Sequence, residues 1–450
     1  MTQQKPANQP HGETPSKPGG RRRKKPNPHS LHRMRAHEAS QAEARNQPPV
    51  VVPDHPLICK DDPLLIETPD ALADLIDHVR AIGSFAYDTE FIGELSYYPR
   101  LCLVQIATHE RIALVDPLAD LNLDLVRDLI TDPAIATLVH AGVQDLMPIA
   151  RITGKPPANI FDSQIASGMA GLSYPLGLAR LIEELFDISL GKGLTFTHWD
   201  HRPLSPMHLG YAADDVRYLP AIRATLQERL DERGYSDWAK AECAAVAESC
   251  SEAHQPELLY RRVKGAQSLR PRRLAVLREL TMLRDQAARE HDVPPRSLFK
   301  DAVLLDLART PVKSVEKLSK IPGLPRRVAQ AYGEAMVSTT LAALELPKDD
   351  LPVLPDYVRE TPKEQVRIES LNALAANLCH ASDVAPGLAV NRKDIVQLFF
   401  ALQRDRDVQA CRLMQNWRRE LLGEPLREFI EGSRTIALKW EGGRMRIIDG

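Results

Sequence analysis

The stretch Ser84-Phe-Ala-Tyr-Asp-Thr-Glu-Phe91 decides how the first half of this 450-residue chain folds. Its apolar start predicts a short buried β-strand that ends in two acids. Because side chains alternate along a strand, Asp88 and Glu90 point to the same side. Two adjacent carboxylates repel each other unless a cation lies between them, and their oxygens suit Mg²⁺ or Mn²⁺. Taken alone the pair is a weak signal, since most Asp-x-Glu pairs are exposed surface charges.

Predicted strands and amphipathic helices alternate around this strand, from residue 51 to about 230. Consecutive early strands, followed by alternating strands and helices, predict a mixed sheet flanked by helices. The further strands are predicted over 101–107, 111–115 and 135–140, and the helices over 70–82, 121–131, 143–152, 176–187 and 206–231.

A third acid follows the strand predicted over 135–140. In His140-Ala-Gly-Val-Gln-Asp145 a glycine turn leads into a helix, and Asp145 falls in the first turns of that helix. An acid at this position also complements a helix dipole, so it is common in proteins without any such site. By itself, therefore, Asp145 does not identify a function.

The last acid lies in Ser205-Pro-Met-His-Leu-Gly-Tyr-Ala-Ala-Asp-Asp215. A serine cap followed by proline marks the start of a helix. Tyr211 and Asp215 are then four residues apart and share one helix face. Asp214 points about 100° away and is the less suitable participant. A Tyr-x3-Asp pair is also common in ordinary helices.

The net charge of −2 conceals blocks of opposite sign. Residues 1–50 carry ten Lys and Arg against three Asp and Glu, residues 51–260 carry 15 against 32, and residues 261–340 carry 17 against 8. This division suggests an acidic part that holds divalent cations and basic parts that hold a polyanion. The alternative is that the basic helices only solvate themselves.

Composition excludes several classes of protein. Hydrophobic residues make up 43% of the chain and charged residues 26%, which is typical of globular proteins and not of disordered ones. No apolar run approaches the roughly 18 residues of a membrane span. The basic run Arg21–Lys25 is not followed by an apolar stretch, so it is not a secretory signal. Six scattered cysteines without a CxxC pair favour a reducing cytoplasm.

The chain divides into four predicted parts. Residues 1–50 are expected to form a disordered basic tail, and residues 51–260 the strand-and-helix domain with a connector. Residues 261–346, the first helical block, are predicted to be all helical. Residues 347–450, the second helical block, begin with a proline-rich linker, include a predicted helix over 407–420 and end in a β-hairpin around Gly442-Gly443.

Considered together, the acids and the tyrosine form a strong signal. Their order, Asp-x-Glu, then Asp, then Tyr-x3-Asp, resembles the tyrosine-bearing branch of the DEDD superfamily of 3′→5′ exonucleases. Over residues 60–230 the chain is similar to the ribonuclease D family in four stretches: Tyr87-Asp-Thr-Glu-Phe91, Pro99-Arg-Leu-Cys-Leu-Val-Gln105, His140-Ala-Gly142 and Arg202-Pro-Leu204.

The resemblance continues into the helical blocks. Leu283-Arg-Asp-Gln-Ala-Ala-Arg-Glu290, Val293-Pro-Pro295, Asp301 and Ile321-Pro-Gly-Leu324 resemble the helicase-and-ribonuclease-D C-terminal (HRDC) domain, and residues 350–450 resemble a more diverged second copy. Two positions depart from the family pattern: Gln144 and His198 stand where acids are expected. Neither belongs to the five central residues, so they bear on substrate preference more than on catalysis.

The resemblance implies an α/β ribonuclease H-like exonuclease domain, a mixed sheet flanked by helices, followed by two all-α HRDC-like domains. It implies two divalent metal ions, Mg²⁺ or Mn²⁺, and release of 5′-mononucleotides. The expected substrate is RNA, at the 3′ ends of tRNA precursors and other structured RNAs, in the cytoplasm, with no membrane and no obligate protein partner. The ligands are expected to be Asp88, Glu90, Asp145 and Asp215, and Tyr211 is expected to orient the attacking water and help deprotonate it.

Five further residues are weaker candidates for substrate contact. Phe91 is suited to stacking on terminal bases, but equally to packing at a sheet edge. Gln105 and His140 either touch the substrate or satisfy buried backbone groups. Arg326 and Arg327 either contact phosphate or solvate the start of a helix.

Two other functions remain compatible with the sequence. A DNA exonuclease of the same superfamily would carry the same five residues, because none of them distinguishes the sugars. A non-catalytic RNA-binding protein is disfavoured by the complete set of four acids and the tyrosine.

Overall fold

The protein is described by a computed structural model covering residues 52–93, 96–190, 198–251, 255–353, 360–442 and 444–449. The tail predicted over residues 1–50 lies outside the described residues, as does Gly443 of the predicted hairpin turn. None of the described helices is both long and apolar enough to cross a membrane.

A six-stranded mixed sheet with the order β1-β4-β3-β2-β5-β6 forms the centre of the first part. Strands β2, β3 and β4 run antiparallel to one another, while β1 pairs with β4, and β5 with β2 and β6, in parallel. The two outer strands were not predicted, because three residues are too few to show a pattern. The strands are β1 (Leu64–Ile66), β2 (Ser84–Ile92), β3 (Arg100–Ala107), β4 (Ile112–Val115), β5 (Ala136–Val139) and β6 (Ile160–Asp162).

Helices cover both faces of the sheet, which confirms the predicted fold class of the exonuclease part. The single helix predicted over 206–231 divides at Tyr218, since Pro220 has no N–H to continue the helical hydrogen bonds. The helices are α1 (Pro69–Ile82), α2 (Asp124–Thr131), α3 (Val143–Thr153), α4 (Ser163–Met169), α5 (Leu178–Phe186), α6 (Pro206–Arg217), α7 (Leu219–Arg233) and α8 (Ser236–Ser251).

Strand β2 separates two apolar cores. Phe85 and Tyr87 belong to the core beneath α1, α2 and α3, whereas Ala86 belongs to the core on the opposite face of the sheet. Alternation along β2 therefore sends Asp88 and Glu90 to the same side as Ala86. This is also the side on which α6 crosses strands β2, β3 and β4.

The first helical block has an apolar core of its own. The helical course predicted for this block is interrupted at Phe299, whose backbone is extended (φ −163°). The block contains α9 (Pro271–Glu290), α10 (Pro295–Leu298), α11 (Asp301–Arg309), α12 (Val315–Leu318) and α13 (Arg326–Glu345), and it is entered through 3₁₀ turns at Pro256–Arg262 and Ala266–Ser268.

Helix α9 contacts the loop that follows β2. The hydroxyl of Tyr97 donates a hydrogen bond to Asp285 (2.7 Å), and the backbone N–H of Tyr97 donates to Asp292 (2.9 Å). The guanidinium of Arg289 lies 5.5 Å from the centroid of the Tyr97 ring. The first helical block thus touches the loop that continues from the strand carrying Asp88 and Glu90.

The second helical block shares an apolar core with the exonuclease part. Its helices are α14 (Pro362–Ala381), α15 (Pro386–Ala389), α16 (Arg392–Gln403), α17 (Asn416–Arg418) and α18 (Glu424–Glu431). A 3₁₀ turn at Lys348–Asp350 precedes these helices, and a second 3₁₀ turn at Arg412–Met414 precedes α17. A π turn at Arg419–Gly423 follows α17. The last element is an antiparallel hairpin of β7 (Ile436–Glu441) and β8 (Arg444–Asp449).

Two side chains of α17 join this block to α8. The ring of Trp417 stacks on Trp238 with centroids 5.6 Å apart, and the indole N–H donates to Glu242 (2.9 Å). Arg418 donates two hydrogen bonds of 2.6 Å to the same carboxylate. The helix predicted over 407–420 is wrong, because Asn416 has positive φ (48°) and cannot continue a right-handed helix.

We expect Trp417→Ala to lower the free energy of unfolding by about 3–5 kcal/mol, because it empties a site in the shared core. Trp440→Ala is the matched control: Trp417 is 4% exposed, whereas Trp440, on the hairpin, is 69% exposed. The control should change the free energy of unfolding by less than about 0.5 kcal/mol. Urea denaturation measures both, and equal losses would show that α17 does not anchor the second block.

Candidate active site

Asp88 and Glu90 lie on β2, which is hydrogen-bonded to β3 on one side and to β5 on the other. The register pairs Asp88 with Gln105 and Glu90 with Leu103. Immediately afterwards the register shifts between Glu90 and Phe91. Such an irregularity bends a strand and changes the direction of its side chains, and it occurs here directly after the two acids.

Asp145 reaches the same region from the first turn of α3. The hydroxyl of Thr89, the residue between the two acids of β2, donates a hydrogen bond to a carboxylate oxygen of Asp145. Thr89 is buried, so this contact ties the start of α3 to the end of the strand.

The turn that places α3 depends on Asp162, which sequence reasoning missed. Its buried carboxylate accepts hydrogen bonds from the backbone N–H groups of Ala141 (3.0 Å), Gly142 (3.1 Å) and Gln164 (2.9 Å). Ala141 has positive φ (56°), a conformation that an alanine seldom adopts. The only signal in the sequence was an acid directly before a helix, where it caps α4.

Tyr211 and Asp215 lie on one face of α6, where burial and then the charge of Asp215 raise the pKa of the tyrosine. The ring of Trp199 lies 6.2 Å from the ring of Tyr211 and supports it. Asp214 instead pairs with Arg217 (3.1 Å), although its charge contributes to the raised pKa of Asp215. The helix face predicted from the four-residue spacing is therefore the face turned toward the other acids.

Burial and neighbouring charges raise the pKa of every carboxyl group in this set. Burial, then the charges of Asp145 and Asp215, hold the pKa of Asp88 well above its usual range. Burial and the charge of Asp88 raise the pKa of Glu90 to about 8. Burial raises the pKa of Asp145 to about 6, although the Thr89 hydrogen bond opposes it. Burial and the charge of Glu90 hold the pKa of Asp215 well above its usual range.

This donor set fits divalent cations. Burial, neighbouring carboxylates and hydrogen bonds are the main influences on the pKa of Asp88, Glu90, Asp145 and Asp215, and no described Lys or Arg side chain is among them. Within the described ranges, no three of these carboxylates bring their ligand atoms within 4.8 Å of one another. Hard oxygen ligands that repel one another and lack a cationic partner are those to which Mg²⁺ or Mn²⁺ binds.

The structure shows which of the weaker candidates for substrate contact are accessible. Gln105 is 0% exposed, and its amide atoms have no hydrogen-bond partner among the described residues, so it is not open to substrate. His140 bonds to Ser163 through Nδ1 (2.9 Å), and burial lowers its pKa. Phe91 is half-buried beyond the register shift and remains open to contact.

Arg326 and Arg327 are exposed at the first turn of α13. Helix α13 packs on α9 and α12 within the core of the first helical block. The two arginines therefore lie on a different core from the acids of β2 and α6. At a helix N-terminus they are suited to a phosphate.

The sheet, the four carboxylates and the tyrosine define a 3′→5′ exonuclease. A family model described as a 3′-5′ exonuclease matches residues 63–231, and one described as an HRDC domain matches residues 273–340. These matches agree with the two architectures seen in the structure.

Relatives identify the family. The chain is 33% identical to ribonuclease D of Gluconacetobacter diazotrophicus, over 86% of this chain and 97% of that one. It is 30% identical to ribonuclease D of Escherichia coli K12, over 82% of this chain and 98% of that one. The crystal structure of E. coli RNase D superimposes with a TM-score of 0.73, covering 83% of this chain and 99% of that one. The chain belongs to the ribonuclease D family of hydrolytic 3′→5′ exoribonucleases, whose activity depends on divalent metal ions.

We expect Gly142→Ala to destabilise the protein by about 1–3 kcal/mol and to reduce activity. A Cβ there would lie 2.6 Å from Cβ of Val139, so the turn that carries Asp145 must move. Gly210→Ala on α6 is the control, since its Cβ meets no atom within 4 Å. Denaturation and the nuclease rate are measured on both variants. Equal stability and equal nuclease rates of the two variants would contradict the expectation.

We expect the metal-free protein to be less stable at pH 8 than at pH 6. An acid whose pKa is raised on folding binds more protons in the folded chain, so stability falls as pH rises through that range. For Glu90 this pH range extends from its ordinary pKa of 4.5 to its raised pKa of about 8. Because metal binding displaces these protons, Mg²⁺ should raise the melting temperature more at pH 8 than at pH 6.

Glu90→Gln is the comparison for this measurement, because other groups of the chain also titrate between pH 6 and pH 8. The variant should lose less stability than the unmodified chain over the same interval. Identical pH profiles of melting temperature, recorded with EDTA present, would contradict the assignment.

Proposed function

We propose that this exoribonuclease uses two divalent cations, Mg²⁺ or Mn²⁺, to remove 5′-mononucleotides from the 3′ ends of structured RNAs such as tRNA precursors. The observation that carries the proposal is the cluster of four mutually repelling carboxylates beside a tyrosine. E. coli RNase D is an exoribonuclease involved in structured RNA processing, and its similarity to this chain supports the same substrate class here.

We assign Asp88 to both cations, because it lies on a central strand and, after burial, the charges of both Asp145 and Asp215 raise its pKa. Glu90 and Asp215 would be further ligands of the ion on the side of the attacking water. Asp145 would be a ligand of the second ion. When bound, the ions lower the pKa of a water molecule and stabilise the charge on the leaving 3′-oxygen.

Tyr211 is assigned to the attacking water and not to a metal ion. Burial and the charges of Asp215, Glu90 and Asp88 raise its pKa, so the hydroxyl stays protonated at neutral pH. A protonated phenol hydroxyl has oxygen lone pairs that accept a hydrogen bond from water. This favours orientation of the water over the expected removal of its proton.

The rest of the RNA needs a positive surface, because the exonuclease part is itself acidic. The first helical block has 17 Lys and Arg against 8 Asp and Glu over residues 261–340, and α9 touches the loop after β2. We propose that this block binds the RNA backbone, with Arg326 and Arg327 as phosphate contacts and Phe91 as a stacking surface at the 3′ end.

We further propose that the enzyme acts in the cytoplasm without an obligate protein partner. All six cysteines are free and buried, and free thiols persist in a reducing compartment. Activity of the purified chain on RNA, with only Mg²⁺ added, tests whether the enzyme needs a protein partner.

Asp88→Asn should reduce hydrolysis by at least about a thousandfold, because it removes the charge shared by both cations and keeps the side-chain volume. Asp214→Asn is the control and should retain most of the activity. The assay compares matched RNA and DNA oligonucleotides in Mg²⁺. Residual activity of Asp88→Asn near that of the control would defeat the two-metal assignment, and faster loss of DNA than of RNA would defeat the choice of substrate.

Tyr211→Phe should lower kcat by about a hundredfold, with little change in KM or in Mg²⁺ affinity, since only the group that orients the water is lost. Single-turnover kinetics and Mg²⁺ titration separate these quantities. If metal affinity falls while the rate at saturating metal is unchanged, Tyr211 belongs to the metal site. If neither changes, its hydroxyl has only a structural role.

A further inference from the structure

The turn that precedes α6 gathers a second group of metal-binding side chains. His198, Asp200 and His201 place one ligand atom each within 4.8 Å of the others. In the part of the chain that the structure describes, this is the one group of three or more His, Cys, Asp or Glu that meets this distance. All three side chains are exposed, so an ion can reach them from solution.

The backbone of this turn is held in place by contacts that do not involve the three side chains. The N–H of His201 donates to the carbonyl of His198 (3.1 Å). Arg202 donates to the carbonyls of Trp199 (2.8 Å) and His201 (2.9 Å). Its guanidinium is fixed in turn by Asp116, with hydrogen bonds of 2.5 and 2.7 Å. The backbone that carries the three side chains is therefore held in one conformation.

The kinds of ligand distinguish this group from the catalytic carboxylates. The imidazole rings of His198 and His201 lie parallel, with centroids 4.8 Å apart, and Asp200 adds a carboxylate. Two imidazoles with one carboxylate suit Zn²⁺, Co²⁺ or Ni²⁺, whereas Mg²⁺ prefers oxygen ligands alone. His198 is also a position at which the sequence departs from the family pattern, and the catalytic assignment leaves that departure unexplained.

We propose that His198, Asp200 and His201 form a binding site for a transition-metal ion of the Zn²⁺ class, separate from the catalytic cations. Around Zn²⁺, bonds of about 2.0–2.1 Å place tetrahedral ligands about 3.4 Å apart. Rotation of exposed side chains closes the remaining difference from 4.8 Å. Water fills the fourth position, as in zinc sites with three protein ligands.

The proposed Zn²⁺ site lies next to Trp199, whose ring supports the catalytic Tyr211. Trp199, between the first two ligands, is 4% exposed. Its ring lies 4.9 Å from the ring of His208 and 6.2 Å from the ring of Tyr211. An ion bound at the turn thus fixes the backbone on both sides of this tryptophan.

The test is calorimetric titration of the full-length protein with ZnCl2, in saturating MgCl2 so that the catalytic carboxylates are already occupied. The expected result is one Zn²⁺ per chain. The double variant His198→Ala/His201→Ala should weaken this binding by at least about tenfold, with an unchanged melting temperature in EDTA, because both side chains are exposed. A Co²⁺-loaded sample should show the visible absorption of nitrogen-ligated cobalt, which the double variant should lose.

Two further variants locate the ion. His109→Ala removes a histidine that lies 3.5 Å from a carboxylate of Glu110 but outside the turn, and it should leave Zn²⁺ binding unchanged. Asp88→Asn should also leave it unchanged. The proposal is overturned if the double variant binds Zn²⁺ as tightly as the unmodified chain, or if Asp88→Asn alone abolishes binding, which would place the ion among the catalytic carboxylates.

Discussion

Repulsion among the carboxylates of Asp88, Glu90, Asp145 and Asp215 is the constraint on which the rest of the structure depends. Burial raises the pKa of all four groups, and the charge of each group raises the pKa of at least one other. Charges placed together away from water disfavour the folded chain until cations compensate them. The scaffold must therefore hold them by other contacts, and it does so with rigid elements. A central strand is hydrogen-bonded on both sides, Thr89 joins it to α3, and Asp162 fixes the turn before α3.

The same constraint explains how charge is distributed along the chain. An acidic exonuclease part attracts cations but repels an RNA backbone, so binding of a long substrate needs a positive surface nearby. The first helical block carries that charge, and its contact through Tyr97 and Asp285 places it beside the strand of the active site. The second helical block has a different role, since it completes an apolar core and joins α8 through Trp417 and Arg418.

Much of the fold and of the candidate site was predictable where the signal lies within one element. The spacing of Asp88 and Glu90 on a strand, and of Tyr211 and Asp215 on a helix, sets which face they share, and the structure places both pairs as predicted. Asp162 was missed because its partners Ala141 and Gly142 lie about twenty residues earlier in the chain. The sequence offers Gln105 as a candidate for substrate contact, but its side chain lies on the strand position opposite Asp88 and is 0% exposed.

The sequence alone determined the four inner strands, most of the helices around them and the charge blocks, and it offered the four acids and the tyrosine as candidates. It did so because periodicity, caps and turns depend on neighbouring residues. Tertiary structure alone decided that Trp417 is buried whereas Trp440 is exposed, and that the side chains of His198, Asp200 and His201 lie near one another on a turn with a fixed backbone. It also decided that the second helical block shares a core with the exonuclease part. These features depend on contacts between segments far apart in the chain, and local sequence patterns do not predict such contacts.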